Sequence, residues 1–204
     1  MTAILPLLML LLIFAIVASC FNEGIWGNVV RLINVVTAGM VAMTFFEPLA
    51  RALDGWEPSF TYLWDFIVLW GLFALSLLIF REITDRVSRV NVRFMKIVDR
   101  IGGVILAIVI GYVVVCFTMT TLHTAPLGRN FLWGGFSSDS DAKMFFGMTA
   151  PDVQWLSFTQ RMSTGAFAGS EEFDSKGEFM PKYATRRTDL EKYVSSKDSL
   201  LVGN

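Results

Sequence analysis

The chain has 204 residues, of which 54% are hydrophobic and 17% charged, and its formal net charge is −1. That is too apolar for an ordinary soluble domain of this size, and the near-zero charge, with no basic patch interleaved with aromatics, excludes nucleic acid as a partner. Its two cysteines, Cys20 and Cys116, lie in or at the edge of apolar runs and make neither a disulfide framework nor a metal spacing; each reads as a small apolar filler.

Four tracts are long enough to cross a bilayer, which needs about 20 mostly apolar residues. The first, residues 3–21, reads "AILPLLMLLLIFAIVASCF" and carries no charge. Its "VASC", ending at Cys20, resembles a lipoprotein cleavage box, but no Lys or Arg precedes the run as a signal peptide requires. An uncleaved first span is expected. The second tract, about 27–46, carries Arg31 and Asn34. Gly27, Arg31, Asn34 and Ala38 are spaced by four, three and four, which makes one small and polar helix face. Arg31 lies about one turn inside the boundary, where it can snorkel to headgroups. The sharper reading turns Arg31 and Asn34 inward to meet Asp99.

The third tract, about 62–80, has Asp65 near its start, between Trp64 and Phe66. Asp65 is placed to cap or hydrate that end; an acid in a span is also a proton-site hypothesis, though no further ionisable residue extends a relay. The fourth tract, about 101–122, has Gly103, Ala107 and Gly111 every fourth position, hence on one face. Helices in lipid associate by close packing rather than by hydrophobic burial, so this stripe reads as a packing face, with a pore wall as the alternative. Asp99 and Arg100 stand just ahead of it. The acid meets the positive end of the helix dipole, and Arg100 can reach headgroups.

Residues 81–100 hold Arg81, Arg86, Arg89, Arg93, Lys96 and Arg100, whereas the 47–61 loop holds only Arg51. Positive residues favour the cytoplasm, so both termini and the 47–61 loop are expected outside. Trp56, Tyr62 and Trp64 cluster at the outer boundary as an aromatic belt.

Nothing in the sequence marks an enzyme or a cofactor. The single His123 has no fixed nucleophile partner, and no GxSxG, HExxH or P-loop occurs. "DSDAK" at 139–143 begins like a calcium loop but lacks the later acids and the central glycine. In "TAPDVQWLSFTQRMSTG", Pro151 in the first turn and Gly165 at the end bracket Trp155, Phe158 and Met162 at helical spacing. The reading is an all-α membrane protein. A four-transmembrane-helix bundle occupies 1–126. An extracytoplasmic segment, 127–168, carries an amphipathic helix at about 151–164. Residues 169–204, opening "GSEEFDSKGE", read as a partly disordered, flexible tail.

"VDRIGGVILAIVIGYVVV", residues 98–115, resembles the last-span signature of the colicin V production protein family, in which Asp-Arg precedes glycines on a four-residue repeat. Asp99, Arg100, Gly103 and Gly111 carry the likeness. "EGIWGNVVRL" at 23–32 is similar to the family's Gly-and-Arg opening of its second span. The chain departs from the pattern at Ala107, where glycine is usual, and at Ile110, where a basic residue is often found. The resemblance covers about residues 1–126. It implies a multi-pass protein of the bacterial inner membrane, linked to toxin production or export and to envelope homeostasis.

Three functions compete. The first is an accessory or scaffold protein without enzyme activity, whose glycine face pairs with a second copy or with other membrane proteins. The second is a small channel or transporter subunit, with Arg31, Asn34 and Asp99 along a path. The third is a membrane-anchored binding module working through residues 124–204.

Overall fold

The computed structural model describes residues 4–87, 95–127, 150–165, 173–174 and 176–202; "DSDAK" lies outside them. Every extended element among the described residues is helical. These are α1 (Ile4–Cys20), α2 (Gly24–Trp56), a short 3-10 turn (Pro58–Phe60), α3 (Thr61–Val87), α4 (Lys96–Thr124), α5 (Pro151–Thr164) and α6 (Phe179–Val202).

Three helices, α2, α3 with its leading turn, and α4, are long and apolar enough to cross a membrane; α1 is a shorter apolar helix. Its 17 residues span about 25 Å at 1.5 Å per residue, a little under the hydrocarbon thickness of about 30 Å. The longer helices overrun the apolar tracts because helical hydrogen bonding continues after the hydrophobic run stops. α2 passes through Pro48 and ends only at Trp56, where the Glu57 N–H donates to the Leu53 carbonyl (2.9 Å). At 33 residues it is about 50 Å long, so its last turns, with Glu47, Arg51 and Asp54, stand beyond the apolar layer.

The two middle helices of the bundle are α2 and α4. α1 lies along α4, α3 lies along α2, and α3 touches α4 more lightly. Leu5 and Met9 of α1 pack on Val115 and Met119 of α4. The main core joins Ala38, Ala42 and Phe46 of α2 to Leu69 and Phe73 of α3 and to Ala107, Ile110 and Phe117 of α4. Leu75, Leu78, Ile79, Ile105 and Ile108 face outward, as apolar side chains do when lipid is the solvent.

α5 sits on one end of this bundle. Trp155 is buried against Phe117, with ring centroids 5.6 Å apart, and lies over Gly39. A Cβ at Gly39 would stand 2.6 Å from the indole, so only glycine admits the ring there.

Where the sequence suggested a flexible tail, α6 forms a 24-residue helix. Its buried face is Phe179, Met180, Tyr183 and Arg187, four residues at helical spacing, with Phe179 edge-on to Phe46 of α2. Apolar stripes alone do not reveal this helix. α6 is fixed as much by cations that match groups at the end of the bundle.

Candidate functional site

The glycine stripe of α4 serves two neighbours. A Cβ on Gly103 would lie 3.1 Å from the Gly24 carbonyl carbon, and one on Gly111 would lie 3.2 Å from the Ile13 Cα. Gly103 therefore admits the start of α2, and Gly111 admits the backbone of α1. Between them Ala107 is fully buried in the core.

Asp99 explains why the start of α2 sits there. The first N–H groups of any helix lack intrahelical partners, and Glu23, at the N-cap of α2, makes no side-chain cap. Asp99 supplies one from α4: its Oδ1 accepts the Ile25 N–H at 2.9 Å. Gly24 has φ +70, and a Cβ there would meet Asp99 Oδ2 at 2.6 Å. Glycine is thus required twice, for the left-handed backbone and for the approach of the carboxylate. Arg100, next to Asp99, stacks over Phe21 of the α1–α2 turn at 5.2 Å.

One residue in this seam was missed by sequence reasoning. Asn28 is fully buried, and its Nδ2 donates to the Gly103 carbonyl (2.9 Å) and the Cys20 carbonyl (3.2 Å). It ties α1, α2 and α4 together. The available signal was an amide one helical turn past Gly24, on the face turned toward the glycine of α4.

The pair expected between Arg31 and Asp99 does not form. Arg31 instead donates to Glu23 Oε1 (2.8 Å) and to Cys20 Sγ (2.9 Å). The reason is positional: Asp99 is claimed by the free end of α2, while Arg31, two turns further along, meets the turn that leads into that helix. Asn34 turns to α3 and donates to Thr84 Oγ1 (2.9 Å). Arg31, Asn34, Asp99 and Arg100 therefore belong to one end of the bundle but to four separate contacts.

The opposite end carries a second polar centre. His123, in the last turn of α4, is buried with its Nε2 2.9 Å from Asp152 Oδ2 of α5. The Thr120 hydroxyl donates to the Asp152 carbonyl (3.3 Å), and Trp70 Nε1 of α3 donates to Thr121 Oγ1 (3.1 Å). α6 adds three cations. Lys182 pairs with Glu47 of α2 (2.7 Å). Arg186 pairs with Asp65 of α3 and donates to the Thr61 carbonyl (2.7 Å). Arg187 reaches the His123 carbonyl (3.4 Å) at the C-terminus of α4, where carbonyls lack helical partners and attract positive charge. Burial pushes the Tyr183 hydroxyl well above the usual phenol range, and the Asp65 and Glu47 charges nearby add to this. Asp65 is therefore held in an ion pair, and His123 is a docking point for α5.

Between the two ends lies a cavity of about 830 Å³ bounded by all four helices of the bundle. Trp70 and Phe73 line it on α3. Next to them are Phe117, stacked on Phe73 at 4.4 Å, and Trp155 beyond it. No group of three or more His, Cys, Asp or Glu among the described residues could hold a metal ion.

An all-helical bundle with apolar outward faces and buried polar seams defines a multi-pass membrane protein. The chain matches the family model described as colicin V production protein over residues 5–140, well over half its length; it belongs to that family. No curated protein and no solved structure matches it. Its name ties the family to colicin V production.

Proposed function

We propose that this protein is an accessory scaffold of the bacterial inner membrane, without enzyme activity of its own, acting in toxin production or export and in envelope homeostasis. The observation that carries the reading is the closed end of the bundle. Phe73 is stacked on Phe117, and Trp155 of α5 meets Phe117 edge-on at that end. α5 and α6 are then clamped over that end through His123–Asp152, Arg186–Asp65 and Lys182–Glu47. A conduction path needs a polar route through the layer, whereas this arrangement presents α5 and α6 as a fixed platform over one end of the bundle. The glycine face is spent inside the chain, on α1 and α2, so partners would meet α5, α6 or the lipid-facing surfaces.

The basic residues between α3 and α4 set the orientation in this reading, with both termini and α5–α6 outside. Ser59→Cys should react with an impermeant maleimide from outside, and Lys96→Cys should not. In-membrane crosslinking and pull-down of the full chain should capture a defined membrane partner or a second copy. Ion flux through liposomes carrying the protein, above that of empty liposomes, would replace the scaffold by a channel.

A further inference from the structure

The cavity has a chemical gradient that the scaffold reading does not use. Its deep part is apolar, formed by Ile16 of α1, Leu77 of α3, and Ile110 and Val114 of α4. Toward the Asp99 end the lining becomes charged, with Glu23 and Arg31 on one side and Arg81 and Asp85 of α3 on the other. α1 packs on α4 and α3 packs on α2, with no comparable seam between α1 and α3. The cavity is open on the side where α1 and α3 do not meet, and its mainly apolar wall, facing a bilayer, suits an apolar occupant.

The charges say which occupant. They form two cation–anion pairs, Arg31–Glu23 at 2.8 Å and Arg81–Asp85 at 3.6 Å. Both are partly open, with side-chain exposures of 28% and 47% in the first and 69% and 67% in the second. Pairs this exposed are worth about 0–1 kcal/mol and can exchange partners. Two cations and two anions at one mouth complement a headgroup that itself carries both signs. A phosphate can take bidentate N–H bonds from arginine, and a primary ammonium can donate to Glu23 and Asp85. An anionic headgroup would leave the two carboxylates unmatched, and a quaternary amine has no N–H to give them.

We propose that this cavity is a binding site for one bilayer glycerophospholipid bearing a primary amine, a phosphatidylethanolamine. An acyl chain enters between α1 and α3 and lies against Val114 and Leu77, with the headgroup at Arg31, Glu23, Arg81 and Asp85. The site is independent of the scaffold reading and would serve a scaffold or a transporter subunit equally.

The test uses the full chain in nanodiscs containing phosphatidylethanolamine, phosphatidylglycerol and phosphatidylcholine in equal amounts, released for native mass spectrometry. One phosphatidylethanolamine should remain bound per chain. Val114→Phe, which fills the deep part, should lower that population at least about tenfold, a loss of about 1.4 kcal/mol, at unchanged helicity by circular dichroism. The exposed double variant Glu23→Gln/Asp85→Asn should keep a bound lipid and lose the preference for the primary amine; it carries the test if Val114→Phe does not fold. Retention of phosphatidylglycerol in preference, no bound lipid, an unaffected Val114→Phe, or an unchanged preference in the double variant would each overturn the proposal.

Discussion

The contact between Asp99 and the start of α2 makes a quantitative prediction. Asp99→Ala removes a charge-assisted hydrogen bond to the Ile25 N–H, made at 2.9 Å; bonds to charged groups contribute about 1.5–3 kcal/mol. Gly24→Ala does two things. It forces an L-residue into φ +70, at about 1–2 kcal/mol. Its Cβ, 2.6 Å from Asp99 Oδ2, also expels the carboxylate and so loses the same hydrogen bond. The single variants should cost about 1.5–3 and about 2.5–5 kcal/mol respectively. The double variant should cost no more than Gly24→Ala alone, because the hydrogen bond can be lost only once. The coupling is then about 1.5–3 kcal/mol. Reversible unfolding in mixed detergent micelles, followed by far-UV circular dichroism, measures all four corners of the cycle. Additivity within about 0.5 kcal/mol would refute the seat of Asp99 on Gly24–Ile25.

Arg31→Leu and Asp99→Leu should be additive within about 0.5 kcal/mol in the same assay, because the two side chains share no partner. Gly111→Leu should cost about 1–3 kcal/mol by overpacking against the α1 backbone, and Ile105→Leu, on the lipid-facing side, less than about 0.5 kcal/mol; equal crosslinking of α1 to α4 in both variants would remove the α1 contact. Asp152→Leu removes the His123–Asp152 contact made at 2.9 Å, at about 0.5–1.5 kcal/mol, and should loosen α5, read as stronger acrylamide quenching of Trp155 than in the parent. Tyr183 should ionise only above the range of a free phenol in an absorbance titration at alkaline pH. Its folded pKa is raised by burial, so the unfolded chain releases the phenol proton first, from about pH 10, and stability falls as pH rises above that value; Tyr183→Phe should remove this fall.

The helical bundle was legible because a bilayer leaves little choice. Backbone groups in hydrocarbon must pair within their own segment or within a closed barrel, so long uncharged tracts can be read as helices. The spacing of Gly103, Ala107 and Gly111 likewise marks a face for close approach. It does not say which helix approaches, and here two do, α1 at Gly111 and α2 at Gly103. The polar contacts were less legible because each joins residues far apart in the chain, and opposite charge alone is a poor guide to partners. Asp99 takes the backbone N–H of Ile25 rather than a side-chain cation. A free helix end offers oriented donors at no cost in side-chain entropy, whereas an arginine must be ordered first.

The same physics at the other end explains α6. Residues 179–196 are too polar to suggest burial, yet Lys182, Arg186 and Arg187 meet a carboxylate on α2, a carboxylate on α3 and the carbonyl end of α4. Each of those acceptors lies at a helix end or beyond the apolar tract, where lipid can no longer cover it and a cation can. The bundle is thus finished at both ends by charge placed against helix termini: Asp99 of α4 on the positive start of α2, and Arg187 of α6 on the negative end of α4. The apolar tracts determine that the helices cross the layer. These two contacts, one from within the bundle and one from the segment after it, determine which helix ends lie together.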